Sequence, residues 1–316
     1  VSSSSRESSG SLTAIFWALG ANGGIAVAKF AAALYTGSGA MLAEAIHSLA
    51  DCANQILLLI GLRQARAGVT EVHPLGAGRV VYFYAMMVAL MLFLLGGAFS
   101  VYEGIQRLTH PEAVRNPLIA LIVLGLSIAL EALSLRGALK EIRKTQGGRG
   151  LWQWFRETRQ SELLVIAGED IAALAGLSFA FVAVFASAAT GNPLFDALGS
   201  VAVGLLLMIV AFLVMREVKS LIVGESAEPA VRRAIREHVA ARVEVRSVMN
   251  IITLQWGDAI VVAVQAEMVP YASTAALVDA INDIEESIQK RWPAARWVFF
   301  EPDQPKDRPS ANALEG

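Results

Sequence analysis

Six long apolar runs constrain this chain more than any other feature. They cover approximately 12–35, 40–62, 80–106, 116–139, 162–188 and 194–215. A bilayer crossing takes about 20 mainly apolar residues. Inside hydrocarbon the backbone must satisfy its own polar groups, so runs of this length read as helices. The breaks carry turn chemistry: Thr36-Gly37-Ser38, a loop through His73-Pro74, His110-Pro111, a loop over 140–160, and Gly191-Asn192-Pro193. Charged residues make up 17% of the chain, against roughly 25% in soluble domains. They are sparse from Leu12 to Met215 and dense from Arg216 onward. The expected organisation is a Ser-rich disordered tail over 1–11, a six-helix membrane domain over 12–215, a smaller domain over 216–303 and a disordered tail over 304–316.

Lysine and arginine set the orientation. The second-to-third loop carries Arg63, Arg66 and Arg79, and the fourth-to-fifth carries Lys140, Arg143, Lys144, Arg149, Arg156 and Arg159. The turns on the other side carry only Arg107 and Arg115 nearby. Both termini are therefore expected on the cytoplasmic side. The opening VSSSSRESSGS has no signal-peptide pattern, and a bacterial inner membrane, with lipid as the surrounding partner, is the expected location. With net charge −2 and no basic patch interleaved with aromatics, nucleic acid is not an expected partner. One cysteine, Cys52, rules out an intrachain disulfide framework.

From Arg216 the periodicity changes. Pro229 to Arg242 is amphipathic, Val245 to Gln255 and Ala259 to Met268 are β-branched runs across Trp256-Gly257-Asp258, Ser273 to Lys290 repeats at helical spacing, and Arg296 to Phe300 is a short strand. The order α-β-β-α-β predicts a small α+β domain with helices on one face of a three-stranded sheet. Its exposed sheet face or edge could support a dimer.

The chemistry concentrates in GAMLAEAIHSLADCANQ, residues 39–55. A helical step of about 100° places Glu44, His47, Asp51 and Asn54 on one face. Ionisable groups inside a membrane are costly unless they are paired or bind a cation. His47 and Asp51, at i and i+4, can reach one ion. On the fifth run the acidic pair is Glu169-Asp170. Adjacent helical residues diverge by about 100°, so Asp170 is the expected ligand, and Glu169 a fourth ligand, an outer partner or a proton carrier. Asn22 could lend a carbonyl oxygen, and Glu44 and Asn54 are candidate outer partners. The long stem of Lys29 could snorkel. Glu131 could pair with Arg136, although the two lie about 140° apart around the helix, and could equally serve structure, gating or transport. Asp196, at the start of the sixth helix where negative charge suits the dipole, reads as a cap. His73, His110 and His238 read as isolated surface residues. No resident cofactor is called for; a divalent ion would be the substrate, Zn²⁺ foremost and Mn²⁺ or Fe²⁺ as alternatives. Rival readings are an intramembrane metalloenzyme, which lacks a separate nucleophile or base motif, and a non-transporting structural homologue.

Asn22, Lys29, GSGAMLAEAIHSLAD (37–51) and HPLGAGR (73–79), with six helices and an α-β-β-α-β tail, together resemble the cation diffusion facilitator family. The resemblance implies a homodimeric, proton-coupled exporter of divalent metals, chiefly zinc, with a ferredoxin-like cytoplasmic domain. It implies a transport site of [His/Asp]-x-x-x-Asp motifs on the second and fifth helices. These map to His47 and Asp51, and to Asp170, but four residues before Asp170 stands Ile166, which cannot ligate. Glu169 replaces it, resembling a branch that includes a mitochondrial zinc exporter. The C-terminal domain has only His238 and no cysteine, so the resemblance implies a tail used for dimerisation rather than metal sensing.

Overall fold

The computed structural model describes residues 23–304 apart from 66, 112, 147, 149 and 158–160. Asn22 and the tails expected over 1–11 and past Gln304 lie outside the described residues. Backbone contacts group the chain into two compact units.

The first unit is helical: α1 (Gly23–Thr36), α2 (Gly39–Ala65), α3 (Val80–Thr109), α4 (Pro117–Gln146), α5 (Leu151–Glu157), α6 (Ser161–Thr190) and α7 (Leu194–Val223), the last residues of α7 from Ser220 belonging to the second unit. Among the described residues, α2, α3, α4, α6 and α7 are long and apolar enough to cross a membrane, while the described part of α1 is apolar but shorter. Large apolar side chains such as Leu49, Phe83, Leu126, Val182 and Phe212 face outward. The interior is instead built from small residues, Ala32, Ala40, Ala43, Ala172 and Ala180, with Met41, Leu124, Leu177 and Leu207 filling between them. That inversion suits a lipid solvent, where close approach of small residues, not water exclusion, holds helices together. Gly37 and Gly191, both at φ 69°, turn the chain between helices, a conformation that strains a residue carrying a Cβ.

Three local features depart from the expectations. The 140–160 stretch is not a loop: α4 continues to Gln146 and α5 follows. Trp154 and Ile142 bury against Leu139, and Glu141, Arg143 and Lys144 in the last turns of α4 are good helix formers. Helix α7 likewise runs through Arg216, Glu217 and Lys219 to Val223 without a break. Within α3, Leu92–Ala98 is wound as a π-helix; the Gly96-Gly97 pair lets the backbone widen there.

The second unit contains Ala67–Arg79 and the chain from Ser220. Its α8 (Pro229–Ala240), β1 (Val245–Trp256), β2 (Ala259–Met268), α9 (Thr274–Arg291) and β3 (Ala295–Pro302) follow the expected order. The sheet order is β1-β2-β3. β1 and β2 pair antiparallel, from Val245↔Met268 to Trp256↔Ala259, across a two-residue turn in which Gly257 has φ 63°. α9 carries the chain back to a parallel β3. Ile235, Val239, Ile284 and Ile288 of the helices pack on Ile251, Val262 and Val264 of the sheet. Ser273 caps α9, its hydroxyl accepting from the Ala276 N–H at 3.2 Å. In the same unit, the Trp256 indole donates to Gly76 O at 3.1 Å. Arg79 stacks over that ring at 4.8 Å and donates to Ile222 O at 2.8 Å.

Candidate metal centre

The polar face of α2 turns inward. Glu44, His47 and Asn54 are fully buried, and Asp51 is half-buried. His47 Nε2 lies 3.6 Å from Asp51 Oδ2, as i, i+4 spacing on one helix allows. Helix α6 packs on both α2 and α4 and presents its two acids to different neighbours. Asn54 Nδ2 donates to Glu169 Oε1 at 2.5 Å, tying α6 to α2. Ser134 Oγ of α4 donates a long bond, 3.4 Å, to Asp170 Oδ2. The roughly 100° divergence of adjacent helical positions accounts for that split. Glu131 of α4 turns toward the same cluster, in electrostatic reach of Lys29, Asp51, His47 and Asp170.

Among the described residues, several buried polar atoms here have no hydrogen-bond partner: both ring nitrogens of His47, Asp51 Oδ1, Glu44 Oε1 and Asn54 Oδ1. A buried, unpaired acceptor costs about 1–3 kcal/mol, and more if charged. Buried polar groups in a native fold are nearly all hydrogen-bonded, so these atoms call for a partner such as an ordered water or an ion. Among the described residues, however, no three His, Cys, Asp or Glu side chains stand together as a ready metal cage. His47 and Asp51 lie together on α2, and Asp170, the third candidate ligand, stands on α6. Glu169 is held by Asn54. The π-wound turn of α3 borders it: a Cβ on Gly96 would sit 3.8 Å from His47 Nδ1 and 3.2 Å from Leu207 Cδ1. Sequence reasoning missed that turn, for which the one signal was a Gly-Gly pair in mid-span.

Two sequence expectations are corrected. Lys29 does not snorkel. It is fully buried, 2.7 Å from Ser48 Oγ and 3.5 Å from Glu44 Oε2, because a carboxylate and a hydroxyl on α2 take up its ammonium inside the unit. Asp196, in the first turn of α7, caps a different helix: it accepts from Ser38 Oγ at 2.5 Å and from the Gly39 N–H at 2.7 Å, satisfying donors at the start of α2. His238 is also less isolated than expected, bonding Ser287 Oγ at 3.0 Å and meeting Trp292 edge-on.

A family model for the cation efflux transmembrane domain matches residues 15–223, which takes in every helix from α1 to α7. The chain belongs to the cation diffusion facilitator family. This family of metal transporters includes the relatives it resembles. A proton-coupled zinc antiporter SLC30A9, mitochondrial, of Xenopus laevis is 36% identical over 226 residues, 71% of this chain and 40% of that protein. Metal tolerance protein C4 of Arabidopsis thaliana is 31% identical over 202 residues, 63% and 44% of the two chains. The cation-efflux pump FieF of Cronobacter sakazakii is 24% identical over 279 residues, 87% of each. The chain thus spans less than half the length of the first two, and most of the third. Family membership and apolar helices together make this an integral membrane protein.

Proposed function

We propose that this chain is a proton-coupled exporter of a divalent cation, Zn²⁺ foremost, working as a homodimer. The observation that carries the reading is the buried face of α2. His47 and Asp51 are 3.6 Å apart there, with ring nitrogens and a carboxylate oxygen free to take a cation, in a family of metal transporters. Asp170 would complete the set from α6, with water in the remaining position. Glu169, tied to Asn54 at 2.5 Å, acts as an outer partner that fixes α6 against α2; such partners matter about 10–100-fold in affinity. One imidazole nitrogen with carboxylate oxygens suits four-coordinate Zn²⁺, and the SLC30A9 relative is by name a zinc antiporter.

Coupling follows from the ligands. A cation binds only when the imidazole is neutral and the acids are ionised, so protons compete with metal at the same atoms. An ion taken up from the side bearing both termini, cytoplasm or mitochondrial matrix, would be displaced by protons on the other. Residues 12–215 would form the transport domain and 216–303 the dimerisation domain.

The test is flux. Proteoliposomes loaded with a fluorescent chelator are given Zn²⁺, Mn²⁺ or Fe²⁺, with and without a pH gradient, alongside Asp51→Ala and Asp170→Ala. Zinc flux that responds to the gradient and disappears in both variants is expected. Flux of Mn²⁺ or Fe²⁺ alone would reassign the cargo. A folded dimer that moves none of the three would overturn the transport reading.

A further inference from the structure

Lys29 is the anomaly of the membrane unit. An ammonium buried to zero exposure carries a heavy desolvation cost, on a helix with ample apolar substitutes. Its contacts say what offsets that cost: Glu44 Oε2 at 3.5 Å and Ser48 Oγ at 2.7 Å, one turn apart on α2. Lys29 and Glu44 together are neutral. Among the described residues the other Glu44 oxygen, Oε1, has no hydrogen-bond partner; it lies against Gly176 of α6, where a Cβ would come within 2.7 Å of it. Glu44 is three residues from His47, on the same buried face and within electrostatic reach of its ring. Without its lysine, this carboxylate would be a second hard oxygen donor on α2, one turn from the candidate ligands and short of partners of its own.

We propose that Lys29 is a selectivity-determining positioning residue that acts through Glu44. By pairing with Oε2 of Glu44 it neutralises that carboxylate and weakens it as a donor to the cation, which keeps the donor set small and nitrogen-containing. The inference rests on the reading of His47, Asp51 and Asp170 as the cation site. A short set with an imidazole suits tetrahedral Zn²⁺. A further carboxylate oxygen raises the coordination number and moves preference toward oxygen-favouring ions such as Mn²⁺. Lys29 therefore holds the site to zinc without touching the ion.

The test is competition binding of ZnCl₂ and MnCl₂ against a chromophoric chelator, on the detergent-purified full chain. In Lys29→Met the Zn²⁺:Mn²⁺ affinity ratio is expected to fall roughly tenfold or more, because an oxygen donor joins the shell. In Lys29→Met/Glu44→Gln it is expected to return to the wild-type ratio, and Lys29→Arg to keep it. A general packing defect would not be reversed by changing Glu44. An unchanged ratio in Lys29→Met, or a drop that persists in the double variant, overturns the proposal. If Lys29→Met does not fold, Glu44→Gln decides. Zn²⁺ and Mn²⁺ affinities then shift together and the ratio stays; a ratio that rises shows Glu44 already in the shell and overturns the proposal. A wild-type chain that binds no Zn²⁺ brings down the cation site itself, and this inference with it.

Discussion

Adding one methyl group at two glycines should have opposite effects. Gly204 of α7 is pressed against α3. A Cβ there would stand 2.7 Å from Gly97 O, 2.7 Å from Val101 N and 2.8 Å from Val101 Cγ2. Two of those atoms are backbone and cannot rotate away, and comfortable heavy-atom contacts begin near about 3.5 Å. Gly204→Ala must therefore part the helices by a large fraction of an ångström. A radial gap of about 0.5–1 Å forfeits a quarter to a half of each dispersion contact along the seam. Overpacking of this kind costs about 1–3 kcal/mol, and backbone neighbours put Gly204 at the upper end. Gly137, inside α4, has nothing within 4 Å of its ideal Cβ. Gly137→Ala only removes backbone freedom from the unfolded chain and should stabilise by about 0.5–1 kcal/mol. Thermal unfolding of the detergent-purified chain, followed by tryptophan fluorescence, compares the two. Gly204→Ala should melt below wild type and Gly137→Ala at or above it. A Gly204→Ala variant as stable as wild type would mean that the α3–α7 seam is not set by backbone contact.

Other consequences follow from named contacts. Asp196→Ala removes the acceptor for Ser38 Oγ and the Gly39 N–H and should cost about 1–2 kcal/mol as a lost cap; hydrogen exchange at the start of α2 should rise. Arg79→Ala removes both a cap on the end of α7 and the stack on Trp256. Arg79→Lys should recover part of the loss, since a charge but not a planar face returns, read as exchange protection over residues 220–223. Burial, then the nearby Arg291 and Arg242, push the His238 imidazole below its ordinary value. The unfolded chain then binds that proton more readily, so the contribution of His238 is fully present above about pH 6.5 and is lost as pH falls below it. His238→Gln, which can keep a bond to Ser287, should flatten the acid-side slope of melting temperature against pH; an unchanged slope would clear His238 of the effect.

The fold was legible because its signals are long. Apolar runs of twenty residues, Gly and Pro punctuation and a clean α-β-β-α-β alternation each leave little room for another answer. The 140–160 stretch misled because its charge pattern reads as loop, while Trp154 and Ile142, twelve residues apart in sequence, supply an apolar contact no local window can see. The polar face of α2 was legible from helical period alone. What each side chain does on that face was not. Lys29 and Asp196 both had a reasonable local role, snorkelling in one case and capping its own helix in the other. Both instead serve α2, across 15 residues for Lys29 and Glu44 and 158 for Ser38 and Asp196. In a bilayer the nearest polar partner is more often on a neighbouring helix than at the interface, so single-helix rules fail first at charged residues.

That dependence on partners also separates the two acids of α6. If a cation is to arrive and leave, its ligands must be uncommitted in its absence, while the groups that keep the helices in register must not be. Among the described residues, Glu169 has a short bond from Asn54 and Asp170 a long one from Ser134. On the proposed reading, the tethered acid holds α6 to α2 and the looser one trades protons for metal. Glu169→Gln keeps an acceptor for Asn54 and should spare stability while lowering Zn²⁺ affinity about 10–100-fold. Asp170→Asn loses a charged donor to the ion and should lower affinity further. If the two variants rank the other way, Glu169 is the ligand and its bond to Asn54 is broken whenever the cation is bound.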